Sequence, residues 1–119
     1  MGAALATLYL MLRFEVIALP ANSCPPLVSI PAGTSMWVDR YPRAPELNDI
    51  VLYRDPILDQ ILLGRVVAAP PQLPSAVSRQ LSDGAVWVEG DNPDCPQRDS
   101  RLLGVVTLSS IAGRVLYSW

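Results

Sequence analysis

The residue types able to do acid–base or covalent chemistry are few in this chain, and the scarcity is informative. All nine basic residues are arginine; neither lysine nor histidine occurs among the 119 residues. Arginine stays protonated in proteins and makes a very poor general base near neutral pH. The chain by itself therefore builds no serine–histidine triad, cysteine–histidine pair or lysine Schiff base. Its two cysteines, Cys24 and Cys95, are too few for a zinc site without further ligands. They form one disulfide or remain free thiols, and the spacing does not choose. No cofactor and no metal is expected. Nine basic residues face eleven acidic ones, with no run of one sign, so the basic face of a nucleic-acid binder is missing.

The elements that must position these residues are mostly strands. Half of the chain is apolar and the mean hydropathy is +0.28, which excludes a disordered polar segment. Twelve prolines argue against a helical bundle, because proline breaks helix interiors. Residues 1–12 (MGAALATLYLML) make the one expected helix, uncharged up to Arg13. It is shorter than the roughly 20 residues that span a bilayer, and a signal peptide would need a basic start. Two readings stay open: a helix covered by core or partner, or the remnant of a membrane anchor. Strand-like runs follow at 14–19, 36–39, 50–53, 61–68, 85–89, 103–107 and 114–119. The connections 69–75 (APPQLPS) and 90–97 (GDNPDCPQ) are too rich in turn residues for central strands. The expectation is one all-β domain over 13–119 behind the short helix.

The order of the short motifs says more than any one of them. Ser23 sits in Asn22-Ser23-Cys24-Pro25-Pro26-Leu27, after the strand Phe14–Leu19. Then come Gly64-Arg65, Trp87-Val88-Glu89-Gly90-Asp91-Asn92, Asp99-Ser100-Arg101 and, three residues on, Gly104. This series resembles the type I signal peptidase family, the membrane-anchored Ser–Lys serine proteases. The phrase ending Gly90-Asp91-Asn92 is most similar to the mitochondrial inner-membrane peptidase subunits. The resemblance covers about residues 14–119. It implies a catalytic domain of coiled antiparallel β-sheets with a membrane-facing substrate groove, and it puts the nucleophile on Ser23. A competing register on Ser35-Met36 lacks the Pro-Leu that should follow and leaves the upstream strand unexplained.

The resemblance breaks at the base. The family's lysine, which takes the serine proton once burial has lowered its pKa, falls on Gly64. The serine that orients it falls on Gln97, and the loop from Asn92 to Asp99 is about one residue longer than is usual in the family. A side-chain oxyanion donor found in some members falls on Ala21. The retained residues read as scaffold: carboxylate–guanidinium pairs among Asp99, Arg101, Asp91 and Arg65, and Gly90 and Gly104 where a side chain would not fit. Trp37, Trp87 and Trp119 read as core or interface anchors. Family geometry would bring Cys24 and Cys95 near the site, where a disulfide suits the intermembrane space.

Three functions are expected in this order. The first is a catalytically impaired, pseudoenzyme domain acting as a structural or accessory subunit of a mitochondrial inner-membrane complex, on the intermembrane-space side. It would assemble with other protein subunits and touch the membrane through its N-terminal segment. The second is an active processing endopeptidase that removes presequences using Ser23 and a base lent by a partner. The third is a non-enzymatic β-domain interaction module.

Overall fold

A computed structural model describes residues 2–41, 44–69 and 85–119. Helix α1 covers Gly2–Arg13. Its alanines, leucines and methionine are strong helix formers, and Arg13 in the last turn suits the helix dipole. The run Phe14-Glu15-Val16-Ile17 is bulky and β-branched, so the chain turns directly into strand β1, Phe14–Ala18. Four more strands follow: β2 Ser35–Asp39, β3 Ile50–Asp55, β4 Gln60–Ala68 and β5 Trp87–Glu89. A one-turn helix α2, Ser100–Leu103, and a 3₁₀ turn, Leu108–Ser110, precede the last strand, β6, Ile111–Ser118.

These strands form one six-stranded sheet in the order β1-β2-β6-β3-β4-β5, every pair antiparallel. The tightest hairpin joins β3 to β4. There the buried Asp55 carboxylate accepts from the N–H groups of Ile57 and Leu58, an Asx-type turn. Successive residues of β3 serve opposite faces of the sheet, as strand pleating requires. Val51 and Tyr53 pack with Val66, Val86, Val88 and Val106 on one side. Leu52 packs with Leu27, Ile30, Met36, Val38 and Leu63 on the other.

The all-β domain behind an apolar helix is what the composition and strand-like runs led us to expect. Three details differ. The described strands make a single sheet rather than several. Residues 103–107 are not a strand: only Val106 joins the ladder, through an isolated bridge to Val86, because the chain upstream is wound into α2. The N-terminal helix ends at Arg13 rather than Leu12, and it is not the only helix. The predicted connection over 69–75 lies, beyond Ala69, outside the described residues.

Candidate functional site

Ser23 stands in the turn after β1. Its N–H donates to the Pro20 carbonyl at 3.0 Å and its Oγ donates to the same oxygen at 2.7 Å. The hydroxyl proton is thus committed to the turn that holds it. Cys24 and Cys95 form a disulfide, tying this loop to the loop after β5. Four hydrogen bonds reinforce the tie. The N–H groups of Asp91 and Asn92 both reach the Pro26 carbonyl, at 3.0 and 3.1 Å. Asn92 Nδ2 reaches the Pro25 carbonyl at 2.9 Å, and Val28 N–H reaches Asp91 Oδ1 at 2.7 Å. The Gly90-Asp91-Asn92 motif is therefore a clamp on the Pro25–Val28 segment.

The Asp99-Ser100-Arg101 motif is the brace behind that clamp. Asp99 caps α2, accepting from the Arg101 N–H at 3.0 Å, and also accepts from the Gly90 N–H at 3.0 Å. The Arg101 guanidinium closes on Asp99 at 2.6 Å and reaches the Gly90 carbonyl at 3.0 Å. Burial alone would raise the Asp99 pKa, but the Arg101 guanidinium and the two N–H donors hold it below the usual carboxylate range. Buried and fully engaged, Asp99 is no base for Ser23. Ser100 Oγ accepts from the Val88 N–H at 2.8 Å and fixes β5. Gly104 ends α2 at φ 78°, a left-handed conformation that favours glycine. The space around it is open, so backbone conformation is what calls for glycine there. Gly90 is a matter of room: a Cβ would lie 3.0 Å from the Pro26 carbonyl oxygen.

Asp99 and Arg101 pair as expected, whereas Asp91 and Arg65 do not meet. Asp91 is spent on Val28, and Arg65 donates to the Asn48 carbonyl and to Ser29 Oγ.

Gly64 lies in the middle of β4, opposite Val51, and is buried. A Cβ there would collide with Val88 Cγ1 and stand 3.1 Å from Tyr53 Cε1. Any side chain at this position must move the Val88 side chain, while the β5 backbone, with Glu89 O at 3.5 Å, is at ordinary contact distance. Beside it, Gln97 Nε2 donates to the Leu63 carbonyl at 2.6 Å and contacts the Tyr53 hydroxyl at 3.2 Å. The Tyr53 hydroxyl in turn donates to the Arg98 carbonyl at 3.0 Å. Burial, with the nearby Asp99 and Asp55 charges, pushes the Tyr53 pKa well above its ordinary value, so it stays a neutral hydroxyl. Sequence reasoning singled out Gln97 only as a lost serine and missed Tyr53 altogether. An isolated tyrosine in an apolar strand carries no signal of the polar chain it will join.

A groove of about 390 Å³ runs between the Ser23 loop and β4. Leu19, Pro20 and Cys24 line one side and Leu62 and Leu63 the other, with Gln97 at the edge. The chain neighbours of Ser23 and Gly64 thus share one groove. Since β1 and β4 are not adjacent in the sheet, the sheet must curl to place them there. Among the described residues, no group of three or more potential ligands could hold a metal ion. Compared with known proteins, the chain matches no family model and no curated sequence.

Proposed function

We propose that this chain is a catalytically impaired, signal-peptidase-like domain that serves as a structural or accessory subunit of a mitochondrial inner-membrane complex. The observation that carries the loss of catalysis is the environment of Gly64. The position the resemblance assigns to the general base has no side chain, its Cβ site is occupied by the Val88 side chain, and the Gln97 amide is hydrogen-bonded to the neighbouring Leu63 carbonyl. A serine hydroxyl without a base is a weak nucleophile, and loss of general-base help costs about 10²–10⁴-fold in rate. What survives is the clamp, the brace and an apolar groove, which are the parts a binding or scaffolding subunit needs. Other protein subunits, and contact of α1 with a partner or the membrane, belong to the same reading.

One observation favours the second reading, an endopeptidase completed by a partner's base. Ser23 is partly exposed and the groove beside it is open. Cleavage of presequence peptides by the purified native assembly, wild type against Ser23→Ala, separates the two. Equal background signal from both supports the scaffold. Cleavage lost in Ser23→Ala with the assembly intact establishes the peptidase.

A further inference from the structure

The disulfide between Cys24 and Cys95 is placed unlike a bond whose only task is stability. Cys24 is exposed and Cys95 half-buried. Cys24 also lines the groove beside β4, so the bridge borders an open surface. Exposed disulfides are the ones that exchange with thiols, because the attacking sulfur must reach them.

The junction that the bridge closes is also held without it, and Asn92 is the hub. Its Nδ2 donates to the Pro25 carbonyl at 2.9 Å, beside Cys24. Its Oδ1 accepts from the Asp94 N–H and its carbonyl from the Cys95 N–H, both at 3.1 Å. The N–H groups of Asp91 and Asn92 grip the Pro26 carbonyl from the same side. On the other flank of Cys24, Ser23 is fixed to Pro20 through both its N–H and its Oγ. Each cysteine is followed by proline, Cys24 by Pro25 and Cys95 by Pro96, and a residue before proline favours extended backbone. Breaking the S–S bond therefore leaves the two sulfurs within reach of each other. The Asp94 carbonyl, 3.7 Å from Cys24 Sγ, stands ready to accept from a freed thiol.

From this arrangement we propose that Cys24–Cys95 is a reversible exchange site for low-molecular-weight monothiols. Cys24 takes the incoming thiol, Cys95 is the resolving cysteine, and Asn92 keeps the two in reach. A thiolate attacks Cys24 Sγ; the new S–S bond to Cys24 forms, the bond to Cys95 breaks, and Cys95 leaves as a thiolate that takes a proton from water. One disulfide replaces another, so this step needs no separate oxidant or reductant. A second monothiol can attack the adduct's own sulfur, releasing a small disulfide and the Cys24 thiol. The two electrons then come from the two monothiols. In the reverse direction the Cys95 thiolate attacks Cys24 Sγ of the adduct and expels the monothiol. The choice of Cys24 follows from access, since it is the exposed partner and opens on the groove. The adduct stands on the groove wall one residue from Ser23, so exchange alters what the groove can admit. The proposal is independent of whether Ser23 is active.

The test uses the full chain, folded and in buffer, with glutathione as the monothiol. Free thiols are then alkylated and the adduct is located by peptide mass mapping. The expected result is glutathione on Cys24 and an alkylated Cys95, formed at a rate proportional to glutathione and unchanged by urea below the unfolding transition. The aromatic near-UV circular dichroism should persist through full reduction. With glutathione disulfide, Cys95→Ser should hold the adduct on Cys24, and Cys24→Ser should be modified at least about fivefold more slowly. Asn92→Ala, checked by the same spectrum, should slow re-closure of the Cys24 adduct by about tenfold without slowing its formation, because the effective concentration of Cys95 falls. Reduction that accelerates with urea as global unfolding does would overturn the proposal, since the bond would then be reached only in the unfolded chain. So would an adduct shared equally by the two cysteines, loss of the near-UV signal on reduction, or re-closure indifferent to Asn92.

Discussion

The two ends of this small sheet deal with their surfaces in opposite ways. At the Ser23 end, the polar groups of three loops satisfy one another. A disulfide, a clamp through Asp91 and Asn92, and a brace through Asp99 and Arg101 hold the loops. At the α1 end, the Arg13–Asp39 pair is satisfied internally, but the helix buries no side chain and the sheet face beyond it exposes its aromatics. One end is closed by the chain's own polar contacts, and the other leaves apolar side chains exposed. The motifs that suggest catalysis are therefore invested in rigidity, while the uncharged residues that suggest nothing chemical form the exposed apolar surface.

Breaking the closed end should cost the most. The disulfide spans 71 residues of sequence, and in the chain-entropy treatment its removal costs roughly 4 kcal/mol. Replacing Cys24 and Cys95 together by alanine should shift chemical denaturation by up to that amount. Asp99→Ala removes a helix cap and leaves the Gly90 N–H and the Arg101 guanidinium without their acceptor. About 3 kcal/mol is expected, read from urea midpoints at constant m value. Gly64→Lys sharpens the comparison. It should lose about 1–3 kcal/mol through overpacking against Val88 and Tyr53, and presequence cleavage should stay at background. Cleavage gained on supplying the lysine would mean that the site yields more readily than its packing suggests.

Acid provides a graded version of the same test. The pKa of Asp39 is held low chiefly by Arg13, against burial. Burial would raise Asp55 and Asp99, but Arg98 and Arg101 with backbone donors outweigh it. Unfolded aspartates titrate near about 3.9. As pH falls below about 5 the unfolded chain binds protons before these folded carboxylates do, so stability declines. Their contribution is fully present near neutrality and disappears as pH passes through the lowered folded values. Thermal midpoints from pH 7 to 3 should therefore be flat and then drop. The smallest effect is expected at the exposed end. Trp37→Ser alone should change stability by no more than about 0.5 kcal/mol, read from urea midpoints.

Much of the fold was legible because its signals are local. The β-branched runs around Val16, Val38, Val51, Val66, Val88 and Val115 each fall in a strand, and the leucine- and alanine-rich start folds as a helix. Leu103–Thr107 misled, because Asp99 caps a turn of helix just upstream and Gly104 ends it in a conformation that interrupts any strand. The Asp99–Arg101 pair could be foreseen from two opposite charges one residue apart in the chain. The Asp91–Arg65 pair could not be dismissed in the same way, because Val28 and Asn48, which take their hydrogen bonds, lie far off in sequence.

Composition alone settled what chemistry is unavailable, since no arrangement of a chain without lysine or histidine supplies those bases. It also settled the strand-rich character, because side-chain branching and proline act within a few residues. The tertiary structure decided that Cys24 meets Cys95, that Gln97 and Tyr53 join one polar chain beside Gly64, and that Trp37, Tyr117 and Trp119 share one exposed face. Each of these depends on strand register and on the curl of the sheet. Both are set by many weak contacts summed across the chain, so no single stretch of residues encodes them.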